Sequence, residues 1–205
     1  MRIAVLVSGG GTNLQALIDA AAGCKKGEPG WYEIALVIAD RPGIFALERA
    51  ATAGIRHELA LPPPGVPRQQ ARRAVSDTVL NLALQAGADA LVLAGWLTIL
   101  TGPLIDEYSG RIVNLHPALL PDFGGEGMWG HHVHEAVLRS GATESGCTVH
   151  LVDAGCDTGP ILLQKKVPVL SGDTPDILAE RIHTVEHQAI VEGVRILADR
   201  LHSQC

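Results

Sequence analysis

Asn114 and His116 stand two positions apart in the stretch V-N-L-H-P, where an apolar run meets Pro117. Alternate residues of an extended segment project to the same side, so the amide and the imidazole share a face. The amide can donate to a developing oxyanion, and the imidazole can carry a proton near neutral pH. Proline has no N–H and cannot continue a central ladder, which places the pair at a strand's carboxyl end. Open α/β sheets form their ligand crevices there. Taken alone, N-x-H-P reads at least as well as a turn-forming asparagine beside a hydrogen-bonded loop histidine.

A second chemical segment is Ser8-Gly9-Gly10-Gly11-Thr12-Asn13. Glycines permit close backbone approach, and a helix opening there turns unpaired N–H groups toward an anion. Thr12 and Asn13 also suit an ordinary helix cap. The segment lacks the terminal Gly-Lys-Ser/Thr of a P-loop and the spacing of a dinucleotide fingerprint, so a single phosphate monoester fits it better than a pyrophosphate. Asp157, between Gly155 and Gly159, is by itself a common turn former. Beside His116 it would orient the imidazole and raise its pKa.

His131, His132 and His134, with Glu135, resemble a metal cluster. Their spacing does not give the i,i+4 histidine pair of a helical zinc site, and no metal is expected. His150 lies in a strand pattern as a core or supporting histidine, and Glu186-His187 reads as a solvated face of the last helix.

These residues need a scaffold. Apolar runs at 2–7, 33–39, 89–94 and 111–114 read as buried strands, with a shorter strand near 55–60. Helical periodicity falls between them, at 13–22, 45–54 and 68–86. Strands alternating with helices imply right-handed crossovers and a mostly parallel sheet flanked by helices, an α/β Rossmann-like fold. Beyond 115, a Gly-rich loop (122–130) precedes a helix at 131–140 and strands at 146–152 and 161–169. A last helix, 174–201, presents Ile177, Leu178, Ile182, Val185, Ile190 and Val194 at helical spacing. One domain over 1–205 is expected, since neither a repeat nor a convincing linker interrupts the chain.

With 47% hydrophobic and 19% charged residues, the chain has the composition of a globular protein. No apolar run approaches the ~20 residues of a membrane span, and no export signal precedes the first strand. Cys24, Cys147, Cys156 and Cys205 are scattered, which suggests reduced thiols and a cytoplasmic location. A net charge of −6 disfavours broad nucleic-acid binding but leaves room for a local anion pocket.

Five segments in order carry a resemblance over essentially the whole chain: I-A-V-L-V-S-G-G-G-T-N-L-Q-A-L-I-D-A, L-V-L-A-G-W-L-T-I-L, I-V-N-L-H-P-A-L-L-P, G-C-T-V-H-L-V-D-A-G-C-D-T-G-P-I-L-L-Q and E-R-I-H-T-V-E-H. The sequence resembles the phosphoribosylglycinamide formyltransferases, folate-dependent members of the formyltransferase family. The resemblance implies a single-domain formyltransferase fold and transfer of a formyl group from 10-formyltetrahydrofolate to the amine of 5'-phosphoribosylglycinamide in purine synthesis. It makes Asn114, His116 and Asp157 the catalytic set, with Asp157 keeping His116 charged. Gly11, Thr12 and Asn13 would bind the ribonucleotide's phosphate, and Glu186 and His183 its glycinamide end. Leu97, Thr98, Ile99, Leu100, Asn114, Asp153, Ala154 and Asp157 would line the folate pocket. Arg72 would meet the folate, with Arg68 and Arg73 as alternatives. The implied partners are small molecules, with no nucleic acid, membrane or metal, acting on a monomer or homodimer.

Two features depart from the family pattern. Thr98 stands where some members carry arginine, and the loop from Phe123 to His131 is longer, its glycines predicting a mobile cover over the substrates. Formyltetrahydrofolate hydrolases share the Asn–His–Asp logic but carry an N-terminal regulatory domain, whereas the first strand here begins at residue 2. Methionyl-tRNA formyltransferases need a further basic C-terminal domain. A non-catalytic nucleotide- or folate-binding protein is disfavoured by the intact Asn114, His116 and Asp157 set.

Overall fold

The computed structural model describes residues 1–203; Cys205, expected above as a reduced thiol, lies outside them. The runs of Val, Ile, Leu and Ala form β1 (Arg2–Val7), β2 (Glu33–Ala39), β3 (His57–Leu59), β4 (Ala90–Leu93) and β5 (Ile112–His116). They pair in parallel in the order β3-β2-β1-β4-β5. β6 (Glu144–Leu151) and β7 (Ile161–Pro168) extend the sheet antiparallel beyond β5. The seven-stranded, mostly parallel sheet is the α/β architecture that the sequence pattern predicts.

The chain winds outward from β1 in both directions, so the order reverses between β1 and β4. A crevice opens at such a switch point beyond the strands' carboxyl ends. The turn after β1, the segment after β4 and the end of β5 all border it.

Strand alternation divides the core in two. On one face, Ile3, Val5, Val92, Val113, Leu115 and Val149 pack toward α1 (Thr12–Ala22), α5 (His131–Ser140) and α6 (Pro175–His202). On the other, Leu6, Ile38, Leu91 and Ile112 meet α3 (Arg68–Gln85) and α4 (Pro103–Glu107). The remaining helix is α2 (Phe45–Thr52). Asn114 and His116 share parity with Ile112 and face the second side, and Thr148 and His150 face the same way across the ladder. The register pairs Asn114 with His150 and His116 with Thr148.

Several sequence expectations need correction. α4, a single turn, has no counterpart among the expected helices because five residues are too few for periodicity to show. β5 continues through His116 rather than stopping at 114. Ile177, expected in the core, is 45% exposed at the start of α6, whereas Leu178 and Ile182 are buried. Glu186, expected on a solvated face, is 4% exposed. It falls between Ile182 and Ile190, four residues from each, and therefore on the helix's buried stripe.

Candidate active site

β5 delivers Asn114 and His116 to the crevice, and the turn joining β6 to β7 delivers Asp157. That turn is closed by Asp153, whose Oδ1 accepts from Gly155 N at 2.9 Å and from Thr158 Oγ1 at 2.6 Å. Asp157 has φ 58°, a left-handed conformation that non-glycine residues other than Asn, Asp and His seldom adopt. Its Oδ2 lies 3.5 Å from His116 Nδ1, and its Oδ1 lies 3.5 Å from His150 Nε2 and 3.4 Å from Asn114 Nδ2. The three residues singled out in the sequence meet around one carboxyl group, with His150 as a fourth.

Hydrogen bonds orient each ring. His116 Nε2 donates to the Phe123 carbonyl at 2.7 Å, which turns Nδ1 toward Asp157. His150 Nδ1 donates to the Leu151 carbonyl at 2.9 Å, leaving Nε2 to accept from the Asn114 amide at 3.0 Å. One Asn114 N–H is thereby committed, while the other has only the long contact to Asp157. Behind them, Thr148 Oγ1 donates to the Ala118 carbonyl and accepts from Leu120 N, while Gln164 Nε2 donates to both Thr148 and the Leu120 carbonyl. This network fixes the segment after Pro117.

Burial pulls the His116 pKa below its ordinary 6.5, and the Asp157 charge and the Phe123 bond recover only part of the loss. Asp157 raises the His116 pKa, as expected, but burial is the larger influence and the net direction is downward. For Asp157, burial alone would raise the pKa. The His150 ring beside it, the charge of His116 and the Gly125 N–H together bring it below the usual carboxylate value.

His134 is a buried cleft residue that its sequence context ties only to metal binding. Its Nδ1 has no hydrogen-bond partner among the described residues. Burial lowers its pKa, His183, His131 and His116 add to the lowering, and Glu186 opposes it. Where folded pKa values lie below 6.5, the unfolded chain takes up protons first, so stability present above about 6.5 is lost as pH falls through that window. His183 acts oppositely. Its bond to Glu186, 2.5 Å long, raises its pKa, so its contribution is complete below 6.5 and fades as pH rises through the raised value. His134→Gln is expected to shrink the loss of stability between roughly pH 7 and pH 5, read as urea midpoints. Equal pH dependence in variant and parent would remove His134 from this account.

A cavity of about 1070 Å³ joins these groups. Asn13, Arg72, Leu97, Thr98, Ile99, Leu100, His183 and Glu186 line it together with Asn114, His116 and Asp157. Gly11 and Thr12 belong to the adjoining turn without lining the cavity. Asp153 and Ala154 also lie outside the lining, where Gly155, Cys156 and Val152 replace them. Arg68 and Arg72 face the cavity, whereas Arg73 pairs with Asp77 on the outer side of α3. The Thr98 hydroxyl donates to buried Asp40 at 2.8 Å, and Leu97 N donates to Ser8 Oγ at 2.9 Å, so the loop after β4 is pinned from two sides. His150, read from the sequence only as a core or supporting histidine, and Trp96, unassigned there, complete the wall. The β5–β6 register opposite Asn114 is the signal that locates His150.

The Cys147 thiol is pushed up to about 12 by burial and Cys156 to about 11, which leaves both poor nucleophiles at neutral pH. His131, His132 and His134 diverge. His131 faces Glu135 and Asp176, His132 meets the Trp129 ring edge, and His134 turns inward.

An amide, an imidazole and a carboxylate thus meet beyond the carboxyl ends of the strands of a doubly wound sheet, beside a glycine-rich strand-to-helix turn. The chain belongs to the formyl transferase family, whose sequence profile matches residues 1–194. It is similar to the phosphoribosylglycinamide formyltransferase of Escherichia coli strain K12, at 37% identity over 188 residues, covering 91% of this chain and 82% of that protein. It is also similar to the trifunctional purine biosynthetic protein adenosine-3 of Drosophila pseudoobscura pseudoobscura. That match has 44% identity over 198 residues and covers 96% of this chain but only 14% of that much longer protein. Among solved structures, glycinamide ribonucleotide transformylase 1 from Symbiobacterium toebii superposes with a TM-score of 0.83 at 39% identity, covering 97% of this chain and 88% of that one. No helix among the described residues is long and apolar enough to cross a membrane.

Proposed function

We propose that the chain transfers the formyl group of 10-formyltetrahydrofolate to the free amine of 5'-phosphoribosylglycinamide in de novo purine biosynthesis, as a cytoplasmic monomer or homodimer. The convergence of Asn114, His116 and Asp157 on one cavity wall carries this reading, supported by the names of the similar proteins.

The phosphate is assigned to the turn at Gly11, Thr12 and Asn13, where α1 opens with unpaired N–H groups. The glycinamide end is assigned to Glu186 and His183, the amine facing a buried carboxyl. Trp96, Leu97, Ile99, Leu100 and Val152 offer an apolar wall for the pteridine, with Thr98 and the 153–157 turn (Asp153, Ala154, Asp157) beside it. Arg72 takes a carboxylate of the folate tail.

In the reaction, the amine nitrogen forms a bond to the formyl carbon, and the negative charge moves to the formyl oxygen. The Asn114 N–H held only by the long Asp157 contact turns to that oxygen. A developing oxyanion next to His116 adds a second negative charge to that of Asp157 and favours the imidazolium, against the burial that lowers its pKa. The bond to the folate nitrogen then breaks, and the proton lost by the amine is delivered to that nitrogen. These steps need no covalent formyl-enzyme and no metal. Asn114→Ala removes one oxyanion donor and is expected to lower kcat by about 10²–10³-fold. A variant within a few-fold of the parent would refute the donor role.

The decisive test is the absorbance change of folate deformylation with and without the ribonucleotide. Turnover that requires the ribonucleotide supports the transferase. Turnover without it would replace transfer by hydrolysis.

A further inference from the structure

The Gly-rich loop lines the cavity from Gly125 to Gly130. Glu126 Oε1 accepts from Arg72 Nη2 at 2.7 Å, across 54 residues of sequence. The Arg72 side chain is mostly covered, at 21% exposure, while Glu126 stands 64% exposed. Arg68, one helical turn earlier, adds its charge, and Arg72 holds the Glu126 carboxyl below the ordinary value. All three residues line the cavity. The guanidinium fork expected to receive a ligand carboxylate already holds one from the protein's own loop.

We infer that Glu126 is a resident stand-in for a carboxylate of the folate's glutamate tail, occupying Arg72 in the free protein and giving way when a tailed folate binds. This rests on the folate reading above. The exchange replaces one carboxylate by another of the same chemistry, so Arg72 is never left without a counter-ion. The loop can yield because Gly125 and Gly127, with φ 103° and 96°, flank Glu126 and give its backbone freedom. It also adjoins the reacting groups, since Gly125 N donates to Asp157 Oδ2 at 3.1 Å. Glu126 thereby becomes a specificity residue. A pteridine ligand lacking the glutamate leaves the Arg72–Glu126 pair in place, whereas a ligand carrying it must compete for Arg72.

The test compares the parent, Glu126→Gln, Arg72→Gln and the double variant. Two ligands are used, the tailed formyl donor 10-formyltetrahydrofolate and the same compound truncated before its glutamate. Binding affinity and the Michaelis constant are read for each. Exposed ion pairs are weak, so Glu126→Gln is expected to tighten binding of the tailed folate by about two- to fivefold. The truncated compound should be unaffected, and the gain should vanish in the Arg72→Gln background. Unchanged or weaker binding of the tailed folate by Glu126→Gln, or an equal gain for the truncated compound, would overturn the inference while leaving the transferase intact. A parent protein that neither binds nor deformylates the tailed folate would instead overturn the folate reading.

Discussion

Asp157→Asn is expected to lower kcat by roughly 10²–10⁴-fold, the range for losing a positioned acid–base partner, with the folded structure retained. Asparagine suits the test because it tolerates the left-handed backbone at φ 58° and keeps a similar shape. The charge is removed, and one acceptor oxygen becomes an N–H donor. His116 then loses the largest influence opposing its desolvation, so protonation becomes still harder and the pH profile of kcat moves to lower pH. The amide also presents a donor as well as an acceptor to Asn114, His150 and the Gly125 N–H, three groups that now meet a carboxylate. Circular dichroism and urea midpoints would show the fold, and single-turnover rates the chemistry. A rate within tenfold of the parent would end the view that the carboxylate supports the imidazolium.

The second large effect is expected at Gly11. It has φ 72°, and a Cβ there would come within 2.7 Å of the Ala46 side chain and 2.9 Å of its backbone. Neither neighbour is a flexible tip that can swing away. A left-handed non-glycine residue costs about 1–2 kcal/mol, and overpacking adds about 1–3, so Gly11→Ala should lose about 2–5 kcal/mol of stability. That corresponds to a Tm lower by roughly 4–20 °C. The same displacement would spread the N–H groups that open α1, so the Michaelis constant for the ribonucleotide should rise more than that for the folate. An unchanged Tm, or equal rises in both constants, would separate Gly11 from the phosphate site.

The sheet was legible because its strands are nearly unbroken apolar runs bounded by Gly, Pro and Asn, which is how strands buried on both faces read. The Asn114–His116 pair was legible for the same reason, since Pro117 marks where the strand must end. Its meeting with Asp157 was not. That proximity depends on β6 running antiparallel to β5 in one register, a relation between segments that no local pattern encodes. Glu186 illustrates the opposite case. The Ile182–Glu186–Ile190 spacing already places a carboxyl group on the apolar stripe, but the assumption that charge implies solvent concealed it. The Glu126–Arg72 pair joins two elements across the cavity, so only the folded chain reveals it.

Five imidazoles, those of His116, His131, His134, His150 and His183, line the one cleft, interleaved with Asp157, Asp176 and Glu186. His116, His134 and His183, whose proton affinities the fold already shifts, form a store of exchangeable protons whose filling depends on what occupies the cleft. An arriving phosphate makes the local potential more negative and draws protons from the buffer onto the rings. Ligand occupancy and proton uptake then belong to a single equilibrium, and the enthalpy of binding carries the ionisation heat of whatever buffer supplied the protons. Any affinity assigned to this cleft is therefore a property of the pH at which it was measured.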